Sequence, residues 1–216
     1  GGKVITYLDG NLQNELDAYL SEDSYFAAII TGKDGGIKAY RSHTGGAERQ
    51  PGSTIKPLLV YAPAIEEKLI RPATKILDEK VNYSGYSPEN YDKKYHGYVS
   101  AEEALAKSYN IPAVKTLNTL TLGKAEKYAG RMGIDLDKDE CNLSLALGGM
   151  KHGLTLEALC EKYRAFANGG SYTSTAFIKE VRLGGGEIVY RHRPQKIPVF
   201  SRGTASLMNG MLQKSV

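Results

Sequence analysis

Hydrophobic and polar residues follow two different periods along this chain, and the change of period separates predicted helices from predicted strands. Apolar side chains that recur every three or four residues lie on one face of a helix. This spacing predicts five helical segments, which are 11–20, a segment that begins at Ser53, 101–132, 155–167 and 202–213.

Two other segments have the composition and punctuation of β-hairpins. In the first, residues 25–31 are apolar and rich in strand-forming types, 33–36 supply a turn, and 37–42 return. The second hairpin spans 177–191 around three consecutive glycines. Strands near both ends with helices between them favour an α+β fold.

Polar and glycine residues predict where several helices begin and end. Ser100 and Glu103 form a capping box before an apolar run, and Ser201 is suited to cap the last helix. Gly123 and Gly133 are expected to stop the helices of the 101–132 region, because glycine commonly follows a helix end.

Five tyrosines fall within sixteen residues between the helix that begins at Ser53 and the 101–132 helices. This tyrosine loop is predicted to be a long connection pinned over the core, and binding of a sugar or peptide by stacking is the alternative. Its members are Tyr83, Tyr86, Tyr91, Tyr95 and Tyr98.

Composition describes an ordinary globular protein. The 216 residues are 41% hydrophobic, enough for one sizeable core or two small ones, and the formal net charge is +4. There is no basic cluster for nucleic acid, no apolar run near the ~18 residues of a membrane span, and no signal peptide. The four histidines show no metal-binding spacing. Cys160 lies on an apolar helical stripe and is expected to be buried, whereas Cys141 falls in a polar loop.

The strongest chemical signal lies in residues 49–57, which read RQPGSTIKP. Ser53 and Lys56 are three apart at a helix start, so both side chains can lie on one face. A lysine amine beside a serine hydroxyl makes a nucleophile with its own base. Alone the S-x-x-K spacing is weak, because it occurs by chance about once in ~200 residues.

A second signal follows 55 residues later, where Ser108, Tyr109 and Asn110 form the only S-x-N of the chain. They lie between two predicted helices, since Pro112 suits the first turn of the second one. In such a tight connection the side chains of Ser108 and Asn110 can point into a cleft.

These two motifs, in this order and with these flanks, closely resemble the active-site motifs of penicillin-binding protein transpeptidases, especially the bifunctional class A type. The resemblance covers most of the chain. It includes 86–97 before the second motif, and 146–149, 153–155 and 163–170 after it.

The family's third motif, K-S-G or K-T-G, is absent from the 216 residues. We therefore expect 1–216 to be a partial transpeptidase domain of a longer protein, with a helix-rich subdomain at roughly 71–170. The resemblance implies the β-lactamase/transpeptidase-like fold, an antiparallel sheet packed on helices, with its three C-terminal strands missing. An uncovered sheet edge would favour self-association.

The resemblance also implies a function, crosslinking of peptidoglycan stem peptides through a serine acyl-enzyme. Ser53 would be the nucleophile, Lys56 its base and Ser108 the proton carrier to the leaving group, while Asn110 and Tyr109 would bind substrate. β-Lactams would acylate Ser53, and no metal or cofactor is expected. The site would be extracytoplasmic, with a membrane anchor upstream, and without its third motif the chain would be impaired.

Three alternatives stay open at this stage. A β-lactamase or D,D-carboxypeptidase would use the same serine and lysine with water as acceptor. A β-lactam sensor or a structural wall-assembly subunit would not be an enzyme. An unrelated serine–lysine amidase would need a second serine in a Gly/Ser-rich segment, which is not seen.

Overall fold

A computed structural model describes residues 1–20, 26–43, 45–137 and 142–215. Its α-helices are α1 Gly10–Tyr19, α2 Ala62–Glu66, α3 Ala101–Ala106, α4 Asn110–Leu120, α5 Leu122–Arg131, α6 Leu156–Ala167 and α7 Arg202–Leu212. Its strands are β1 Lys3–Thr6, β2 Ala27–Thr31, β3 Ile37–Ser42, β4 Lys75–Asp78, β5 Gly97–Ser100, β6 Ser171–Thr173, β7 Ile178–Arg182, β8 Ile188–Arg191 and β9 Lys196–Pro198. Helices with antiparallel pairs of strands make this an α+β fold, as predicted.

The chain divides into two compact units. The first unit contains 1–49, 154–164 and 171–197, and the second contains 50–153, 165–170 and 198–216. Most strands belong to the first unit and most helices to the second. Both sequence motifs fall in the second unit.

In the first unit, both predicted hairpins are present. Strands β2 and β3 pair antiparallel, and Gly35 adopts a φ of +88° in the turn between them. Tyr25, which was expected to begin this hairpin, lies outside the described residues. The second hairpin is β7 with β8, and it is extended by β1, giving the order β1-β7-β8. Helix α1 is tied to β3 because the Gln13 amide exchanges hydrogen bonds with the Tyr40 backbone at 2.9 and 3.1 Å.

In the second unit, the helix that begins near Ser53 is the most deeply buried element. It starts as a 3-10 turn over Gly52–Thr54, continues as π-helix over Lys56–Tyr61, and becomes α2. Every residue from Ile55 to Ile65 is buried, so apolar side chains occur on all sides of this helix. Because this helix lies in the core of the unit, the Lys56 side chain is largely shielded from water.

The helix boundaries follow the sequence in most places. Ser100 and Ser201 cap α3 and α7 by accepting from backbone N–H groups at 3.2 Å, and Gly133 has a φ of +64° just after α5. The expectation for Gly123 is wrong, because this glycine lies inside α5. The break falls instead at Thr121, whose φ of +76° separates α4 from α5.

The tyrosine loop is bounded by a strand pair that the sequence did not indicate. Strand β4 pairs antiparallel with β5, which contains Tyr98, the last of the five tyrosines. Tyr91 is 100% exposed, and Tyr95 and Tyr98 are also exposed. These three side chains therefore do not hold the connection to the core, whereas Asn90, in the same connection, is 2% exposed.

Cys160 is a half-buried free thiol whose Sγ lies 3.5 Å from the Thr31 hydroxyl, so the expectation of full burial is wrong. Cys141 lies outside the described residues. Within the described ranges no helix is long and apolar enough to cross a membrane.

Candidate active site

Ser53 is presented at the surface of the second unit by a tight turn. Gly52 adopts a φ of +54°, and Ser53 is exposed in the 3-10 turn that follows. Behind this turn, Gly148 has a φ of +82°, and a Cβ built on it would lie 2.4–2.6 Å from backbone atoms of Gly52. Only glycine fits there, because an added methyl group would collide with the turn that carries Ser53.

Lys56, three residues later, is completely buried. Its amine donates to the Ser108 carbonyl oxygen at 2.7 Å, to Asn110 Oδ1 at 2.8 Å and to Ser108 Oγ at 3.1 Å. A lysine ammonium has three donors, so these three acceptors satisfy it fully. The second motif therefore converges on the amine of the first.

Burial lowers the pKa of Lys56 to about 8. The cause is desolvation, which disfavours the charged form of a buried amine. Among the described residues, no carboxylate forms an ion pair with Lys56 that would offset this effect. All its acceptors are neutral, so the amine can lose its proton near neutral pH more readily than a surface lysine.

Ser108 lies in the connection between α3 and α4 with a backbone φ of +55°. Such a conformation is uncommon for a residue other than glycine and costs of order 1–3 kcal/mol. It is held by backbone hydrogen bonds at the end of α3, from Ser108 to the Leu105 carbonyl and from Tyr109 to the Ala104 carbonyl, each 2.9 Å. This bend turns both the carbonyl and the hydroxyl of Ser108 towards Lys56.

Asn110 is the first residue of α4, and its amide orientation is determined by two partners. Nδ2 donates to the Glu89 carbonyl at 2.8 Å, which leaves Oδ1 to accept from Lys56. Tyr109 is half-buried, and its ring stacks on His96 with centroids 4.0 Å apart and an interplanar angle of 16°. One face of the Tyr109 ring is therefore occupied by protein.

The structure thus brings together three of the sequence-predicted residues, Lys56, Ser108 and Asn110. It places Ser53 at the start of the same helix as Lys56. In the described part of the chain, no hydrogen bond joins the Ser53 hydroxyl to Lys56, whose three donors are all directed at the second motif. Ser53 is exposed, whereas Lys56 is buried.

Sequence reasoning missed four residues that support the site, which are Asp78, Asn90, His96 and Gly148. Asn90, His96 and Gly148 occur in the segments that carry the family resemblance, but nothing in their local pattern indicates a contact with either motif.

A separate cavity of about 660 Å³ lies in the second unit and contains none of the predicted site residues. Tyr83 and Tyr86 of the tyrosine loop line it together with polar and aliphatic side chains of Ser84, Asn118, Thr121, Leu122, Asn142 and Leu143. No group of three or more potential metal ligands occurs among the residues with described positions.

Comparison with known proteins places this chain in a family. The sequence profile of the penicillin binding protein transpeptidase domain matches residues 15–216. The chain is 36% identical to penicillin-binding protein 1F of Bacillus subtilis and 31% identical to penicillin-binding protein 1A/1B of the same organism. Both alignments cover 100% of this chain, but it spans only 33% and 26% of the two relatives.

Solved structures show the same fold at lower identity. The D,D-transpeptidase domain of a peptidoglycan glycosyltransferase from Eggerthella lenta superposes with a TM-score of 0.86 at 18% identity, covering 100% of this chain and 66% of that one. Penicillin-binding protein A from M. tuberculosis, solved as a ceftriaxone acyl-enzyme complex, also gives 0.86, at 17% identity and with 100% and 62% covered. The family expected from the two motifs is confirmed, and the chain belongs to the penicillin-binding protein transpeptidase domain family.

Proposed function

We propose that this chain provides the nucleophile and base of a serine D,D-transpeptidase that crosslinks peptidoglycan stem peptides. The observation that carries the proposal is the position of Lys56, which is buried three residues after an exposed serine and hydrogen-bonded to Ser108 and Asn110.

The lowered pKa suits Lys56 to act as a general base. With a pKa of about 8, roughly 10% of the amine is neutral at pH 7, against about 0.03% for an ordinary lysine. This gain of about 300-fold in the reactive form matches the size of a typical general-base contribution. The proton of the Ser53 hydroxyl would pass to Lys56 as the oxygen attacks.

The proposed reaction has two acyl transfers. Ser53 Oγ attacks the carbonyl of the penultimate D-alanine, an ester forms, the peptide C–N bond breaks, and the proton held by Lys56 passes through the Ser108 hydroxyl to the leaving D-alanine amine. An acceptor amine from a neighbouring stem then attacks the ester, forms the crosslinking amide and returns Ser53 to its free state. Asn110 and Tyr109 would hold the donor stem.

Binding of β-lactams belongs to the same proposal, because a strained lactam carbonyl can acylate the same serine. One fold relative was solved as an acyl-enzyme with ceftriaxone, which supports an adduct on Ser53 here. We also propose that the site works outside the cytoplasmic membrane, held there by an anchor upstream.

The 216 residues contain no K-S-G or K-T-G, and the family resemblance implies that this motif would supply the other half of the oxyanion hole. We propose that these residues alone acylate slowly, because the backbone N–H of Ser53 would supply only half of an oxyanion hole. Loss of one such donor typically costs ~10²–10³ in rate.

We also propose that residues at roughly 71–170 form a helix-rich subdomain.

Product analysis tests the reaction class. The full-length protein that carries this sequence would be given a donor peptide ending in D-alanyl-D-alanine, with and without an acceptor amine. A transpeptidase releases D-alanine and forms the new amide when the acceptor is present, and Ser53→Ala abolishes both. Hydrolysis alone would instead support a carboxypeptidase, and neither product would support a non-catalytic protein.

A further inference from the structure

Three polar side chains near the second motif form a cluster that the proposed mechanism does not use; two of them are buried and the third is half-buried. They are Asp78 at the end of β4, Asn90 in the tyrosine loop and His96 just before β5, and we call them the polar anchor. Asp78 is 1% exposed and Asn90 is 2% exposed. Buried polar side chains are costly unless they are hydrogen-bonded, so the partners of these groups show what they hold in place.

Asn90 caps the helix that begins with the second motif. Its Oδ1 accepts from the backbone N–H groups of Asn110 at 2.8 Å and Ile111 at 3.2 Å. Tyr109, which directly precedes α4, forms no side-chain cap of its own. The two N–H groups would otherwise lack partners at the helix end, so the cap from a distant loop replaces the usual local one.

The donors of Asn90 are also fully used. Nδ2 donates to Asp78 Oδ2 at 2.7 Å and to the Lys94 carbonyl at 2.8 Å. An amide with both donors and its acceptor engaged has only one satisfactory orientation. Asp78 therefore determines which end of the Asn90 amide faces α4.

Asp78 is held in turn by His96. Its Oδ2 accepts from the His96 backbone N–H at 3.1 Å and lies 2.7 Å from His96 Nδ1, while His96 Nε2 lies 3.0 Å from Asp92 Oδ2. The hydrogen bond to Asp78, supported by Asp92, raises the pKa of His96. The His96 ring also stacks on Tyr109, so the anchor touches the middle residue of the motif as well as its last one.

These contacts end at the groups that surround the Lys56 amine. The Glu89 carbonyl accepts from the Asn110 side chain, and the Asn90 side chain accepts from the Asn110 backbone N–H. Asn110 Oδ1 accepts from Lys56, so Asn110 is held by two adjacent loop residues and by the lysine amine. Ser108, with its unfavourable φ, lies two residues before Asn110. A strained conformation persists only where its surroundings over-determine it, and the anchor supplies that restraint.

We propose that Asn90, oriented by Asp78 and His96, is a positioning residue that holds Ser108 and Asn110 against the Lys56 amine. This inference rests on the proposed role of Lys56 as a base. Asn90 does not touch the reacting atoms, and its effect on the reaction passes through the geometry of the second motif.

The test compares two substitutions in the full-length protein that carries this sequence. Asn90→Ala removes both the cap and the contacts to Asp78 and Lys94. Asn90→Asp keeps an oxygen that can cap α4 but places a second oxygen against Asp78 Oδ2 and the Lys94 carbonyl, where only a donor fits. The control is Tyr128→Phe, which removes a 2.9 Å hydrogen bond from a buried tyrosine to Glu67 in the same unit.

The first measurement is acylation by a fluorescent penicillin per folded molecule, at saturating and subsaturating concentrations. We expect both Asn90 variants to lower the first-order acylation rate about 10-fold to 10²-fold, the scale of an ångström-sized misplacement. The apparent penicillin affinity should change much less, and Tyr128→Phe should acylate within twofold of the parent. Parent-like acylation rates in folded Asn90 variants would overturn the positioning role.

The second measurement does not depend on Ser53 chemistry. The Lys56 Cε resonance of ¹³C-lysine-labelled protein, assigned by its loss in Lys56→Arg, reports the titration of the amine. The parent midpoint of about 8 should move upward in both Asn90 variants, because a loosened motif admits water to the amine. An unchanged midpoint would contradict the inference.

The two measurements separate the possible failures. If the parent is not labelled on Ser53, the proposed function fails, and the lysine titration still decides the inference. If Ser53 is labelled and both readouts are parent-like in the variants, the inference alone fails. If neither Asn90 variant folds while Tyr128→Phe does, Asn90 is a residue of general stability and the positioning claim is overturned.

Discussion

Acylation of Ser53 should depend on pH through the amine of Lys56. Burial lowers the pKa of this lysine to about 8 and its hydrogen-bond acceptors are all neutral, so the neutral amine is a minor species at pH 7 and the major one above pH 8. The base is competent only in the neutral form. The second-order acylation rate therefore reports the fraction of free enzyme in which Lys56 has lost its proton.

The size of the effect follows from the pKa. The neutral fraction is roughly 1% at pH 6, 10% at pH 7, 50% at pH 8 and 90% at pH 9. We expect the rate to rise about tenfold per pH unit below pH 7 and to level off above pH 9, a total increase of about 90-fold between pH 6 and pH 9. A lysine with an ordinary pKa would instead keep rising about tenfold per unit across the whole range.

The assay is the initial rate of labelling by a fluorescent penicillin, taken at short times at each pH, in the full-length protein that carries this sequence. Lys56→Arg keeps a positive charge that cannot be removed in this range, and should lower acylation by about 10²-fold or more. Lys124→Arg makes the same chemical change at a half-exposed surface lysine paired with Glu67, and should leave the rate unchanged. A flat pH profile, or a Lys56→Arg variant as fast as the parent, would refute Lys56 as the base.

Four further substitutions and one measurement on the isolated chain follow from the geometry. Gly148→Ala should destabilise the protein and slow acylation more than tenfold, since its Cβ would meet the Gly52 backbone at 2.4–2.6 Å. Gly123→Ala has open space in α5 and should be neutral or stabilising by up to about 1 kcal/mol. Thermal unfolding and penicillin labelling of both variants check this, and equal effects would contradict it. Ser108→Gly and Ser108→Ala should lose acylation equally, because both remove Oγ. The glycine variant should be more stable than the alanine variant by about 1 kcal/mol, because glycine adopts a φ of +55° without strain. Equal unfolding midpoints would show that Ser108 is not strained. The 216 residues by themselves should label slowly and form dimers or larger species in light scattering; fast labelling of a monomer would remove both expectations.

Local sequence signals predicted the elements that carry the first two motifs. Pro51 and Gly52 indicated the turn before Ser53, Ser100 indicated the start of α3, and strand-forming composition with glycine turns indicated both hairpins. These features depend on residues within one or two turns of each other. The convergence of Ser108 and Asn110 on Lys56 came from the family resemblance, because spacing alone cannot bring together residues more than fifty positions apart.

The parts that the sequence did not reveal depend on distant contacts or on unusual backbone conformation. Strands β4 and β5 pair across the whole tyrosine loop, and Asn90 caps a helix twenty residues away, so no local pattern indicates either. Gly123 was expected to end a helix, yet Thr121 does so with a positive φ that its residue type disfavours. The burial of Lys56 was likewise a condition of the proposed mechanism that only the packing of the surrounding helices could supply.

The location of a penicillin adduct tests the central proposal most directly. The full-length protein that carries this sequence would be treated with penicillin, digested, and the labelled peptide identified by mass, beside Ser53→Ala treated in the same way. We expect the penicilloyl group on the peptide that contains Ser53, attached to that serine, and no adduct in Ser53→Ala. An adduct on another residue, or undiminished labelling of Ser53→Ala, would contradict the assignment of Ser53 as the nucleophile.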